Sequence, residues 1–188
     1  MKSMVLLLSL YLLYFLALYV FFTISEWMVH RYVMHGEEDG NHISRDHWKH
    51  HRNVQNDMSL EDGGIEGLYF YWPETLMILV IALMEALVLR LVFYALFGVT
   101  IRLLVVVGVV VLITLYQSSF WNTIHPDIHH APVHSNWKYG VPGWEGWKRM
   151  FFYSWLKNNH QKHHRVKGED KGNFNITLPG GDWILGTL

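Results

Sequence analysis

From Met4 to Ile24 the chain runs for 21 residues without a charge. As an α-helix such a run is about 30 Å long, the thickness of a bilayer's hydrocarbon core. A cleaved signal peptide would be shorter and would end in small residues, whereas Tyr19, Phe21, Phe22, Glu26 and Trp27 stand here. A second apolar stretch, 75–116, is too long for one crossing and is interrupted at Phe97-Gly98, which predicts two helices in a tight hairpin. The expectation is an all-α integral membrane protein, a single domain over 1–188 with crossings at 4–24, 75–96 and 99–117.

Three crossings leave 25–72 and 118–188 on one side of the bilayer as a helical cap. All 13 histidines fall in those stretches, in the windows 30–51, 125–134 and 160–164, with none between 52 and 124. Apart from Lys2, Arg90 and Arg102, every Lys and Arg lies there too, so the positive-inside rule assigns the cap to the cytoplasm. In a eukaryote that means the endoplasmic reticulum, in a bacterium the inner membrane. A net charge of −1 lacks the basic excess of a nucleic-acid binder. The absence of cysteine excludes thiolate zinc sites, iron–sulfur clusters and a cysteine nucleophile, so any metal is held by nitrogen and oxygen. Glu85 and Arg90, inside the second crossing, are expected to neutralise one another, with Arg102 assisting across the hairpin.

The histidines are spaced as ligands are. His47, His50 and His51 stand at i, i+3 and i+4, a spacing that puts three imidazoles on one helical face, and His160, His163 and His164 repeat it. Pro126 suits the first turn of a helix, with His125 and His129 following at i and i+4. His30 and His35 are five apart, about 140° on a regular helix, so they converge from the flanks or the last turn loosens. Together His30, His35, His47, His50, His51, His125, His129, His160, His163 and His164 exceed what one four- to six-coordinate ion holds, and two metal ions are expected.

Imidazole suits zinc and iron alike, so ligand type leaves a hydrolytic dizinc and an oxidative diiron centre both open. No Gly-x-Ser-x-Gly, His-Glu-x-x-His or phosphate-binding glycine loop is present. The site adjoins a bilayer, where the abundant substrate is an unactivated hydrocarbon, and breaking its C–H bonds needs oxygen activated on a redox metal.

These four groups resemble the histidine boxes of the fatty acid hydroxylase and sterol desaturase superfamily of membrane diiron enzymes, from about Glu26 onward. The first box is His30 and His35, the second His47, His50 and His51, the third His125 and His129, the last His160, His163 and His164. Asn173-Phe174-Asn175 followed by Asp182-Trp183-Ile184-Leu185-Gly186-Thr187 is similar to that superfamily's ending. The stretch from Glu26 to Gly36 also resembles the start of bacterial carotenoid hydroxylases. The resemblance implies two iron ions, with zinc as a substitute, and O₂ as co-substrate. It implies a lipid substrate, fatty-acyl, sterol-like or another hydrocarbon, and electrons from an external small b-type cytochrome or ferredoxin. Carotenoid ring hydroxylation and lipid desaturation are the alternatives of the same chemistry, and a dizinc hydrolase is the rival of a different one.

His130, Asp127 and Asn159 are candidates to support the ligands, His130 also to exchange roles with His129. His42 and His134 are expected to be peripheral. From Trp137 to Trp155 the chain carries four of its nine Trp and reads as an interfacial segment. Its Trp144 and Trp147 are candidates to line a substrate passage. Lys157, Lys162, Arg165, Lys167 and Lys171 suggest a basic docking surface.

Overall fold

The computed structural model describes residues 2–61, 67–165 and 172–188. Lys167 and Lys171 of the basic surface lie outside them. The described residues are helical, with one isolated antiparallel bridge between Val54 and Leu60.

Helix α1, Lys2–Met28, runs directly into a π-helical turn, Val29–Met34. Helix α2, His42–Asn53, starts at Asn41, whose side-chain oxygen accepts from Ser44 N at 3.0 Å. A polar N-cap of this kind satisfies one of the donors a helix start leaves bare. Helix α3, Trp72–Phe97, begins with Pro73 and with Glu74 accepting from Tyr71 N at 3.0 Å. It ends at Gly98, whose φ of 64° is left-handed, a conformation that costs glycine little. Helix α4 is Leu103–Ile128. Two 3₁₀ turns, Trp137–Tyr139 and Glu145–Arg149, lead to α5, Tyr153–Arg165, and α6 is Gly181–Leu185.

Three helices are long and apolar enough to cross a membrane: the continuous rod Met4–Met34, then α3 and α4. Most of their large apolar side chains are uncovered by protein, among them Leu8, Leu91, Leu104 and Leu112. Where they meet, Tyr14, Leu18 and Phe22 of α1 pack on Ala82, Ala86, Leu89 and Phe93 of α3 and on Val106 and Val110 of α4. The two alanines let α1 approach closely, and the Tyr14 hydroxyl donates to Ala86 O at 2.9 Å, so its polar atom is matched within the packed interface.

Two expectations change here. Helix α4 does not stop near 117 but runs on to Ile128 with Pro126 in its last turn, so His125 and His129 ride on the end of this long apolar helix rather than on a new one. Pro126, two residues before that end, has no N–H to give Asn122 O, and that carbonyl accepts from His134 N at 3.4 Å instead. The Glu85–Arg90 pair does not form: Arg90 Nε donates to Ile101 O at 2.8 Å, while Glu85 accepts from the Ser25 hydroxyl. Five residues apart on a regular helix, the two side chains diverge by about 140°.

The second core lies at one end of the three-helix unit. Met34, Met58, Phe70, Phe120, Trp121, Ile124, Tyr153, Leu156 and Ile176 fill it. Buried Asn122 ties the loops to α4, its Oδ1 accepting from Phe70 N at 2.7 Å and its Nδ2 donating to Phe70 O at 3.0 Å and Val141 O at 2.8 Å. Gly143 passes so close that a Cβ would stand 2.3 Å from Asn122 O.

Candidate metal centre

Ten histidines converge on that end of the molecule in two groups of five. His30, His35, His47, His51 and His163 form the first, and His50, His125, His129, His160 and His164 the second. Each residue offers one ring nitrogen, and within a group these nitrogens all lie within 4.8 Å of one another. They are the same ten the sequence singles out, but the sharing differs from a face-by-face reading. In α2 the i and i+4 residues, His47 and His51, join the first group while His50 joins the second. In α5 His160 and His164 join the second while His163 crosses to the first. Each triplet thus bridges both groups, because residues three apart diverge by about 60° around a helix and four apart by only 40°.

The π turn solves the spacing of the first pair. His35 N donates to His30 O at 3.0 Å, an i to i+5 bond. One wide turn brings the rings into a stack, centroids 5.2 Å apart and planes 19° from parallel. The last turn of the rod loosens rather than the pair reaching in from its flanks.

Backbone carbonyls orient the rings. His30 Nδ1–H donates to Phe174 O (2.5 Å), His125 to Leu68 O (2.7 Å), His129 to Met58 O (2.8 Å) and His163 to Gly172 O (2.7 Å). A proton held on Nδ1 leaves the Nε2 lone pair facing inward, the arrangement of a metal ligand. His35 Nε2 and His163 Nε2 are 2.9 Å apart, His30 and His47 3.1 Å, His164 and His160 3.0 Å, His129 and His160 3.3 Å. His125 Nε2 is buried with no hydrogen-bond partner. Lone pairs gathered so closely repel one another unless a cation sits among them, and neutral nitrogen donors of this number fit a borderline transition metal. Burial, reinforced by the neighbouring imidazoles, holds His47, His160 and His164 well below the usual imidazole pKa, and burial takes His129 down to about 4. The rings therefore stay neutral at physiological pH, the form that binds metal. Seven of the ten are buried, whereas His35, His51 and His164 are partly exposed and mark the centre's outer side.

The tail builds the first group's support. Asp182, fully buried, accepts from Phe174 N at 2.7 Å, Asn175 N at 2.7 Å, Asn159 Nδ2 at 3.1 Å and Thr187 Oγ1 at 2.8 Å. Glu26 accepts from Thr177 N at 2.6 Å, Ile176 N at 3.1 Å and Leu178 N at 2.9 Å. These two carboxylates pin the segment whose Phe174 carbonyl fixes His30. In the sequence Glu26 stands out only as a residue following the apolar run and as the start of a stretch of resemblance, and Asp182 only within the ending motif, so neither is assigned a role there. The carbonyls of Leu68, Met58, Phe174 and Gly172 escape it altogether, since a main-chain oxygen leaves no mark in the residue type.

The remaining candidates sit elsewhere. His130 belongs to neither group: it takes φ 57° in the turn after α4, which swings it outward to place Nε2 3.1 Å from Asp57 O. Asp127 holds Tyr153 and Lys157 at 2.8 and 3.1 Å and Lys148 at 2.6 Å, so Lys157 is a structural cation rather than part of a free basic face. Asn159 also donates to Asn175 O at 2.9 Å and touches the tail, not an imidazole. Trp147 packs on Tyr116 and Phe120 and donates to Ser119 Oγ at 3.0 Å, while Trp144 is largely exposed. Neither lines the apolar cleft between α1, α3 and α4, whose lining includes His30. His42 reaches Glu74 at 3.4 Å, and His134 packs against Tyr69 and Tyr139.

No protein-family model, no curated protein and no solved structure matches this chain.

Proposed function

We propose that the chain is an integral membrane dimetal oxygenase that hydroxylates a hydrocarbon lipid, with iron in both histidine groups and O₂ as co-substrate. The observation that carries this reading is the pair of five-imidazole groups, one member of which, His30, also lines an apolar cleft between α1, α3 and α4. Two redox metals held there supply the activated oxygen that an unactivated C–H bond requires. The resemblance of the histidine pattern to the fatty acid hydroxylase and sterol desaturase superfamily points the same way. The uncovered apolar surface of the three long helices supports insertion in a bilayer, and the positive-inside rule puts the centre on the cytoplasmic side.

The chain's own residues have three tasks in this scheme. The four carbonyl-bound Nδ1–H groups fix the tautomer and direction of His30, His125, His129 and His163, so these four Nε2 atoms face inward before a metal arrives. Trp121 packs on both His30 and His125, with centroids 6.1 and 4.5 Å away, and shields the inner side from water. On the outer side, partly exposed His35, His51 and His164 provide the approach for an external electron donor, a small b-type cytochrome or ferredoxin, with Lys162 and Arg165 of α5 exposed beside it.

The deciding experiment is lipidomics of a host expressing the wild-type chain or His50→Ala, with metal analysis of both purified proteins. A hydroxylated or desaturated lipid that appears only with the wild type, only in air and only with iron supports the proposal. Lipid hydrolysis that persists without oxygen and tracks zinc would replace it with a dizinc hydrolase.

A further inference from the structure

The tail that supports the first histidine group also reaches the apolar part of the molecule. Tyr116, the last residue of the apolar stretch 75–116, donates its hydroxyl to Thr177 O at 2.8 Å. Tyr19 donates to Pro179 O, and it stands five residues before the end of the uncharged run 4–24, about 7.5 Å of helix. Thr23 Oγ1 donates to Leu178 O at 2.9 Å and accepts from Gly181 N at 2.8 Å. Two different long helices, α1 and α4, thus hold residues 177–181 at the level where their apolar runs end, and α6 starts from that level. Its Gly181 and Asp182 face the protein and are buried, which turns Trp183, Ile184 and Leu185 outward, 75%, 46% and 41% exposed. Leu188 is exposed as well. Asp182 is the only ionisable side chain from Gly172 to Leu188, and its carboxylate points inward to its four donors, so the outward face of α6 carries no charge.

We propose that α6 and Leu188 form a foot seated in the lipid interface, with Trp183, Ile184 and Leu185 in contact with the bilayer surface beside α1. Depth, chemistry and area all favour lipid as the occupant. The level set by Tyr19 and Tyr116 is the boundary of the hydrocarbon, and on α1 itself Leu16, Val20 and Phe21 are left uncovered at and just above it. Trp is favoured at that boundary because its ring is apolar while its N–H can stay wet. An uncharged cluster of large apolar side chains is costly to leave in water. Four such side chains also offer far less than the roughly 1,200 Å² that a specific protein interface buries. Five helical residues bury too little to hold a membrane alone, and here their depth is fixed by α1 and α4 instead. The segment so secured carries the Phe174 carbonyl that orients His30, so the foot ties the support of the first histidine group to the bilayer surface. The inference rests on the bilayer insertion of the three long helices proposed above and on nothing in the oxygen chemistry.

Because the chain has no cysteine, one NBD fluorophore can be placed at a chosen position. Zinc-loaded Ile184→Cys, Leu12→Cys and Asp39→Cys proteins are labelled and reconstituted in phosphatidylcholine–phosphatidylglycerol vesicles. Leu12 is exposed near the middle of the uncharged run, and Asp39 is exposed in the loop before α2. The Ile184 label should emit to the blue of the Asp39 label, lose its fluorescence to lipids that carry a nitroxide near the ester carbonyls, and resist aqueous iodide. The Leu12 label should answer to a nitroxide deep in the acyl chain, and the Asp39 label to iodide alone. An Ile184 label as open to iodide as the Asp39 label, with the Leu12 label in lipid, overturns the foot and leaves the insertion standing. A Leu12 label open to iodide overturns the insertion itself and the foot with it. An Ile184 label that neither quencher reaches, and that brightens when labelled chains are diluted with unlabelled ones, shows a second copy on this face and overturns the foot as well. If Ile184→Cys loses its metal, Leu185→Cys is read by the same criteria.

Discussion

His50 shows most clearly how little a residue's neighbours in sequence say about its partners. It follows His47 by three and precedes His51 by one, yet it faces His125, His129 and His164, with ring centroids 4.9, 4.5 and 5.0 Å away. His163 makes the opposite exchange, leaving His160 and His164 for His30 and His35. His50→Ala and His163→Ala should each lower lipid oxidation by at least about 100-fold, the upper range for loss of groups that merely support a ligand. His50→Ala should deplete the second group of metal and His163→Ala the first, leaving close to one ion per chain. His42→Ala and His134→Ala should stay within a few-fold of wild type in the same assay. Equal loss at all four positions would contradict the grouping.

At the scale of elements, the centre is held by what surrounds it as much as by the helices that bear it. The π turn brings His30 and His35 onto one side of a rod that would otherwise splay them. Loop segments 58 and 67–70 carry the Met58 and Leu68 carbonyls to the second group, and the tail carries Gly172 and Phe174 to the first. Asp182 organises that tail through four donors. Asp182→Ala should therefore weaken metal binding about 10- to 100-fold without touching a ligand. Metal content measured across a series of buffered free-metal concentrations checks this: a right-shifted curve is expected, and a curve superimposed on the wild type would show that the tail is only a cover.

For the whole molecule, the three long apolar helices and the histidine-bearing end make one unit in which the rod Met4–Met34 and the end of α4 carry ligand candidates directly. Two ions per chain are expected at saturation, predominantly iron in iron-replete expression, as read by elemental analysis. Stripping them should destabilise strongly. A metal at a thousand times its dissociation constant contributes about 4 kcal/mol per site, so removing both should lower the thermal midpoint by roughly 15–30 °C. An unchanged midpoint would mean that the histidine cage is stable without a cation. Topology can be mapped cleanly because the chain has no cysteine. In oriented vesicles, an impermeant maleimide should reach Lys138→Cys only from the cytoplasmic side and Thr100→Cys, between α3 and α4, only from the other. Labelling of both from one side would refute the three-crossing arrangement.

Much of this was legible before any coordinates. Long uncharged runs mark helices long and apolar enough to span a bilayer, because a backbone in hydrocarbon must satisfy itself and a 21-residue run has one economical way to do so. Residue type and local spacing likewise brought out the ten histidines, since imidazoles repeated at i, i+3 and i+4 have few other uses. The partition into two groups, the π turn, the supporting carbonyls and the isolation of Glu85 from Arg90 were decided only by tertiary structure. Each depends on the direction of a side chain relative to segments far away in sequence, or on a main-chain oxygen that every residue possesses. The same holds for the cleft between α1, α3 and α4: the apolar residues that line it look in sequence like any others in the long apolar runs, and only helix packing sets them around a space that His30 also borders.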